Sequence, residues 1–223
     1  MPMLSFQRAE QLGNDGKEGV TYAGRVLKAF SDTVFDVPVK LRRGTGVAVK
    51  TFKPRKSGNR IEKEARLQQR CASKGVSPWV YSVDKVHKHI VMECMASTPV
   101  NTYKGKPLPD DLQYQICALM RRMDEISVLH NDMNAHNVMF NKGRVYMIDF
   151  GLARDIKPKD LKKYGDSPNV KVTLWGLVRG FRRYGVETPI LQECLTAKDK
   201  TPYFERGEQL LCRRVTRGRK RKR

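Results

Sequence analysis

Residues 128–154 read VLHNDMNAHNVMFNKGRVYMIDFGLAR, and this stretch decides how the rest of the chain is understood. It holds two acids in defined settings: Asp132, followed five positions later by Asn137, and Asp149, directly ahead of Phe150-Gly151. The β-type runs at 138–140 and 145–148 flank Asn141-Lys142-Gly143, a pattern that predicts a hairpin with a polar loop at each end. Both loops carry a carboxylate, which suits holding metal ions against a phosphate.

Upstream, Leu112, Ile116, Leu119, Met120, Met123 and Ile126 keep a 3.6-residue period, so a helix should run from about Pro109 and deliver the chain to His130. Pro109, Asp110 and Asp111 give it an acidic first turn. Before it, ECMASTP at 93–99 is small, polar and proline-ended, and reads as a hinge between lobes. A strand at 86–92 leads into that hinge, and 76–83 is extended because Pro78 prevents helix. Residues 60–74 are strong helix formers that stop at Gly75. Glu62 and Glu64 lie on different faces of that helix, so only one can meet a given partner. GVAVKTF at 46–52 alternates like a strand and carries Lys50, which taken alone is one exposed lysine among many. Residues 54–59 form a loop. In the opening part, LGNDGKEGVTY spaces Gly13, Gly16 and Gly19 by three; it is either a phosphate-approaching turn or a plain hairpin loop.

Downstream of Asp155 comes a lysine-rich loop, then an apolar helix at about 172–181 and another at 201–215. The last twelve residues, from Cys212, contain eight Lys or Arg and no acid. Such a block reads as an arm awaiting a polyanion.

A chain of 223 residues can build one substantial core or two small lobes sharing a cleft. Its five cysteines are scattered without a CxxC pair, which supports neither a disulfide framework nor a zinc site. His87 and His89 alternate in a strand-like run and are expected on a solvated face. Lys and Arg number 44 against 23 acids, a net charge of +21, which implies a polyanionic partner. No apolar run approaches a membrane span, and the opening MPMLSFQRAEQLG has no secretory pattern. An intracellular address, cytoplasmic or nuclear, follows as the expectation.

Taken in order, a glycine-rich turn, VAVK, a glutamate helix, a strand into a hinge, HNDMNAHN and IDFG resemble the protein-kinase superfamily over about 12–182. The resemblance implies an α+β, two-lobed fold: a β-rich N-lobe (1–92), a hinge (93–99), a reduced helical C-lobe (100–211) and the basic tail (212–223). It implies ATP and Mg2+ as cofactors. Lys50 would meet the α- and β-phosphates, aimed by Glu64 or, failing that, Glu62. Asn137 and Asp149 would hold the metal, and Asp132 would orient the attacking hydroxyl. Gly13, Gly16 and Gly19 would cover the phosphates. Ala48, Met92, Glu93 and Met95 would frame the adenine.

The departures narrow the branch. Asn131 replaces the arginine of regulated kinases, and Asn134 replaces a lysine common in serine/threonine kinases. No A-P-E follows Phe150, and Thr173 stands where a structural aspartate is expected. EARLQQRCASKGVSPWVYSVD, VTLWGLVRGF and the ending RGRKRKR resemble the kinase and ATPase subunit of the KEOPS complex. That likeness implies ATP hydrolysis in support of threonylcarbamoyl modification of tRNA adenosine, a partner protein, and a tail that assists tRNA contact. Four functions are therefore in view: an atypical serine/threonine protein kinase, a KEOPS-type ATPase, a small-molecule kinase, and an RNA-binding pseudokinase.

Overall fold

Alternation along the run Gly46–Phe52 dresses both faces of one strand. Val47 and Val49 pack to one side with Val26, Phe30, Leu41 and Val91, while Ala48 and Phe52 pack to the other with Ile61, Ala65, Ile90 and Met92. The period of two therefore puts Lys50 on the Ala48 and Phe52 side. The computed structural model describes residues 4–12, 16–95 and 97–212, so Gly13 and the tail from 213 onward lie outside the described residues.

The elements in the first half are β1 (Phe6–Gln11), β2 (Gly19–Val26), β3 (Phe30–Val34), β4 (Val37–Leu41), β5 (Gly46–Phe52), α1 (Gly58–Ala72), β6 (Val80–Asp84) and β7 (His89–Glu93). Five of the strands form an antiparallel sheet in the order β1-β2-β5-β7-β6. The β3–β4 hairpin turns through Phe35 and Asp36, both at positive φ (49° and 65°), as a two-residue hairpin turn demands. Its Phe30, Val39 and Leu41 cover one face of the sheet. α1 covers the other. Gly19 lies opposite Phe52, where a Cβ would fall 2.2 Å from the Thr51 carbonyl oxygen, so the close pairing of β2 with β5 requires glycine.

Ser57 caps α1, its side chain accepting from the Arg60 N–H. Ile61, Glu64, Ala65, Gln68 and Ala72 are buried at the spacing of one helical face, which carries Glu64 inward. Glu62 falls outside that stripe.

The second half contains α2 (Pro99–Thr102), α3 (Asp110–Glu125), β8 (Val128–Leu129), β9 (Val138–Asn141), β10 (Arg144–Met147), β11 (Arg154–Asp155), α4 (Pro158–Tyr164), α5 (Trp175–Arg183), α6 (Pro189–Thr196) and α7 (Thr201–Cys212). α3 is the spine: Ile116, Cys117, Leu119, Met120 and Met123 are fully buried in one large core. That core also takes Leu67 and Cys71 from the far end of α1. The expected hairpin is present, with β9 and β10 paired about Lys142-Gly143, both at positive φ. The fold is thus α+β, a β-rich first half and a helical second half, as the sequence led us to expect. Among the described residues no helix is long and apolar enough to cross a membrane.

Four expectations need correction. The strand at 86–92 begins only at His89, because Asp84 caps a turn by accepting from the Val86 and His87 N–H groups. His87 therefore sits on the turn. His89 is buried, its ring edge-on to Phe6 at 5.3 Å, rather than solvated. The lysine-rich stretch is partly helical: Asp160 accepts from the Lys157 N–H and pairs with Arg154, starting α4 at Pro158. The helix expected from 172 begins as a π-helical turn, Val170–Leu174, before α5.

Candidate active site

The strand β5, the helix α1 and the loop after β10 bring three charged side chains together. Lys50 Nζ lies 2.6 Å from Glu64 Oε1 and 2.9 Å from Asp149 Oδ1, across 14 and 99 residues of sequence. Burial alone would push the Lys50 ammonium towards neutrality, but the charges of Glu64 and Asp149 outweigh it and the net shift is upward. Lys50 stays charged. For Asp149 burial acts to raise the carboxyl, and the Lys50 ammonium overcomes it, so the net shift is downward. Glu62 is half-buried at the surface instead, bonded to Lys85 at 2.9 Å and Arg66 at 3.3 Å. The structure thus chooses Glu64 as the partner of Lys50.

The chain of charges continues beyond Glu64. Its second oxygen, Oε2, lies 2.6 Å from the Nζ of Lys56, and Lys56 also bonds Glu18. Both ammoniums lie over the Phe52 ring, at 5.2 Å for Lys50 and 4.5 Å for Lys56, so the ring supports them together. The series Asp149–Lys50–Glu64–Lys56–Glu18 closes around Gly151. A Cβ there would fall 2.6 Å from Glu18 Oε2 and 3.2 Å from Asp149 Oδ1. Glycine after Phe150 leaves room for the Glu18 carboxylate in the position it takes here.

Asp149 holds a left-handed backbone, φ 60°, and its carboxylate accepts from the Gly151 N–H at 3.3 Å. A non-glycine residue there is held by its surroundings, as strained functional positions are. Phe150 is buried, edge-on to the His130 ring at 4.8 Å. His130 is fully buried, and desolvation lowers its pKa; Nε2 lies 2.9 Å from the Ile148 carbonyl oxygen and Nδ1 3.3 Å from that of Asp132, so the ring bridges the two acidic loops.

The loop from His130 to Asn137 is fixed from within. Asp132 Oδ1 accepts from the Asn134 N–H and Asn134 Oδ1 accepts from the His136 N–H, each at 3.1 Å, starting the 3-10 turn Ala135–Asn137. Asn134 therefore has a backbone-capping task. The Asn137 carbonyl accepts from the Ile148 N–H at 2.8 Å, tying this loop to the one bearing Asp149. Asn137 is buried, and its Nδ2 has no hydrogen-bond partner among the described residues. Magnesium takes one or two protein oxygens and leaves the rest to phosphate and water, so the donor set that fits it is the Asn137 Oδ1 and the Asp149 carboxylate; the unpartnered Nδ2 is a hydrogen-bond donor and no ligand.

The aspartate expected at 173 is absent, and its work is done one turn earlier. Asn169 Oδ1 accepts from the His130 N–H and from the Thr173 hydroxyl, both at 3.1 Å. Its Nδ2 donates to the Val128 carbonyl and to Asp124 Oδ1, both at 2.7 Å. Thr173 thus supports an asparagine that holds the loop.

Of the remaining residues singled out by sequence, Ala48 and Met92 are cross-strand neighbours on the α1 face of the sheet. Glu93 donates its N–H to the Trp79 carbonyl at 2.9 Å, and Met95 is buried just beyond. Gly16 donates its N–H to the Gly19 carbonyl at 2.9 Å, closing the turn into β2. Sequence reasoning missed Glu18, Lys56, Asn169 and Asp124. Only Asn169 left a trace, as a polar residue one turn ahead of Thr173 in an otherwise apolar run.

Comparison with known proteins agrees with this geometry. The family described as "Protein kinase domain" matches residues 33–175. The chain is 31% identical over 138 residues to "KEOPS complex subunit Bud32" of Pyrococcus abyssi, covering 57% of this chain and 61% of that protein. It is 22% identical over 157 residues to "Probable serine/threonine-protein kinase BUD32 homolog" of Archaeoglobus fulgidus, covering 66% and 78%. It is also 31% identical over 97 residues to "Probable bifunctional tRNA threonylcarbamoyladenosine biosynthesis protein" of Methanobrevibacter smithii, covering 43% of this chain and 17% of that protein. The chain therefore spans about three fifths of the Pyrococcus relative and about a sixth of the bifunctional one.

Proposed function

The chain belongs to the protein-kinase family, and on that premise we propose that it is an ATP-dependent phosphotransferase, an atypical serine/threonine protein kinase. The observation that carries this is that Lys50, from the sheet, lies within 2.9 Å of both Glu64, from α1, and Asp149, from the loop after β10. Lys50, held charged, is the counter-ion for the α- and β-phosphates, and Glu64 aims it. Asn137 and Asp149 are the oxygen donors for Mg2+, which when bound neutralises charge on the phosphate oxygens. Asp132, held in place through the Asn134 N–H, orients a serine or threonine hydroxyl and accepts its proton as the new O–P bond forms and the bond from the γ-phosphorus to the bridging oxygen breaks, releasing ADP. Ala48, Met92 and the backbone at Glu93 and Met95 take the adenine, with 93–99 as the hinge. The glycines of the turn before β2 cover the phosphates. In a transfer governed by charge placement, positioning is most of what the protein contributes.

The test is phosphate transfer from γ-labelled ATP to a protein acceptor. Lys50→Ala and Asp149→Ala should each lower it by roughly 10²-fold or more, with the far-ultraviolet circular dichroism unchanged. Full activity in both variants would overturn the site assignment.

A second reading is an ATPase that serves threonylcarbamoyl modification of tRNA with a partner protein. It is favoured by the likeness to a KEOPS complex subunit of Pyrococcus and to a tRNA threonylcarbamoyladenosine biosynthesis protein of Methanobrevibacter, and by the net charge of +21. Phosphate release from ATP that rises on adding tRNA, with little transfer to protein, would select it.

A further inference from the structure

Lys56 has no part in the chemistry assigned so far, yet it is buried as deeply as Lys50, with a side chain only 6% exposed. Its two carboxylates differ in kind. Glu64 is fixed in the α1 stripe with a side chain 2% exposed; Glu18, on the segment entering β2, has one 40% exposed. Glu64 is moreover shared with Lys50. Without Glu18, Lys56 would keep half a partner.

On the outer side of Lys56 lies a cavity of about 270 Å3 lined by Glu18, Arg55, Lys56 and Arg60. Three of these four are cations. Arg55 gives its Nη2 to the Lys17 carbonyl at 2.9 Å, and the Arg60 guanidinium has no hydrogen-bond or ion-pair partner among the described residues. The cavity adjoins the first turn of α1, which carries no acid to offset its positive end. It is open to solvent and a little smaller than the roughly 300–1,000 Å3 pockets that enclose drug-sized ligands, with room for a phosphoryl group and waters around it. Its single acid, Glu18, also lies against Gly151 beside Asp149, so one exposed carboxylate fills the space between this cavity and the catalytic cluster.

We propose that this cavity is a phosphoryl-binding site continuous with the catalytic cluster, that Lys56 is its principal cation, and that Glu18 occupies it until a phosphate arrives. The proposal deepens the nucleotide reading above and rests on it. The charges support the exchange. With Glu18 in place, Lys50, Lys56, Arg55 and Arg60 face three carboxylates; with Glu18 swung out, the same four cations face only Glu64 and Asp149, and the cavity is left more positive. Glu18 can leave without unpacking the core because its side chain borders solvent. The phosphate is either the γ-phosphate of bound ATP or free inorganic phosphate.

The full chain is titrated calorimetrically with ATP, ADP and inorganic phosphate, each with magnesium, for the wild type and for Lys56→Met, Lys56→Arg and Glu18→Gln. Glu18→Gln should tighten ATP binding by roughly fivefold, since the competing anion is gone. Lys56→Met should weaken ATP about tenfold or more and ADP less than about threefold, and Lys56→Arg should restore most of the loss. A γ-phosphate site shows only in the ATP-to-ADP contrast; a free-phosphate site shows inorganic phosphate binding that Lys56→Met removes. Equal weakening of ATP and ADP by Lys56→Met, with Glu18→Gln unchanged, would make Lys56 a brace for Glu64 and overturn the proposal. Glu18→Gln, at an exposed position, decides the matter if Lys56→Met does not fold. A wild type that binds no nucleotide would defeat the nucleotide reading instead, and the cavity would then stand or fall on inorganic phosphate alone.

Discussion

Glu64→Gln keeps the volume of the side chain and removes the charge that two buried lysines share. Breaking a buried ion pair costs about 3–5 kcal/mol because the surviving charge is left uncompensated. Here Lys50 retains Asp149 and Lys56 retains Glu18, which places the expected loss near the lower bound, about 3 kcal/mol. Glu62 provides the internal control two residues away on the same helix. Its pairs with Arg66 and Lys85 are at the surface, where an i,i+4 pair contributes about 0.3–0.5 kcal/mol and another exposed pair about 0.2–1 kcal/mol, so Glu62→Gln should cost about 0.5–1.5 kcal/mol. In a chain of 223 residues each kcal/mol moves the melting temperature by about 2–4 °C. The expected shifts are then roughly 6–12 °C for Glu64→Gln and roughly 1–6 °C for Glu62→Gln. Urea denaturation gives the free energies, and transfer from γ-labelled ATP gives kcat/KM, which Glu64→Gln should lower by roughly 10²-fold. Equal stability losses in the two variants, or full activity in Glu64→Gln, would refute the reasoning that Glu64 anchors the cluster.

Desolvation raises the Asp124 carboxyl to about 7, although the Asn169 N–H and Nδ2 groups favour its ionised form. In the unfolded chain the same group titrates near 3.9, so its contribution to stability is complete below about pH 4 and is lost as pH rises through about 7. Comparing wild type with Asp124→Asn by urea denaturation, the wild type should lose on the order of 2 kcal/mol relative to the variant between pH 5 and pH 8. A constant difference would show that Asp124 is ionised throughout. Asn169→Ala removes the acceptor for the His130 N–H and leaves Thr173 and the Val128 carbonyl without a partner. It should destabilise the protein by about 2–4 kcal/mol and reduce kcat more than it alters KM for ATP; steady-state kinetics above half-folded conditions would show it.

Much of the frame could be read from residue order and period. Alternation in GVAVKTF put Lys50 on the helix-facing side of its strand, and Lys142-Gly143 announced the hairpin between the two acidic loops. The choice of Glu64 over Glu62 was also present in the helix pattern, since Ile61, Ala65 and Gln68 define a face that includes 64. Lys56 and Glu18 could not be found that way. A lysine in a loop among 44 basic residues has no periodic signature, and what distinguishes it is burial, a property of the packed state. Asn169 was hidden for a related reason: the π-helical turn shifts which residue of the run faces the His130 loop, and an α-helical count points to Thr173. The turn at 85–88 was misread because Asp84 captures two backbone N–H groups, a local competition that strand propensity does not register.

The far end of α1 lies in the helical core through Leu67 and Cys71, and Arg70 reaches Asp155 at 2.6 Å. A helix bolted at one end into the neighbouring half cannot swing as a lever without exposing those side chains, at about 1.5–3 kcal/mol for Leu67 alone. The partnership of Lys50 with Glu64 is therefore tied to the packing of the second half: whatever loosens Leu67 and Cys71 from the helical core also loosens the carboxylate that holds the lysine.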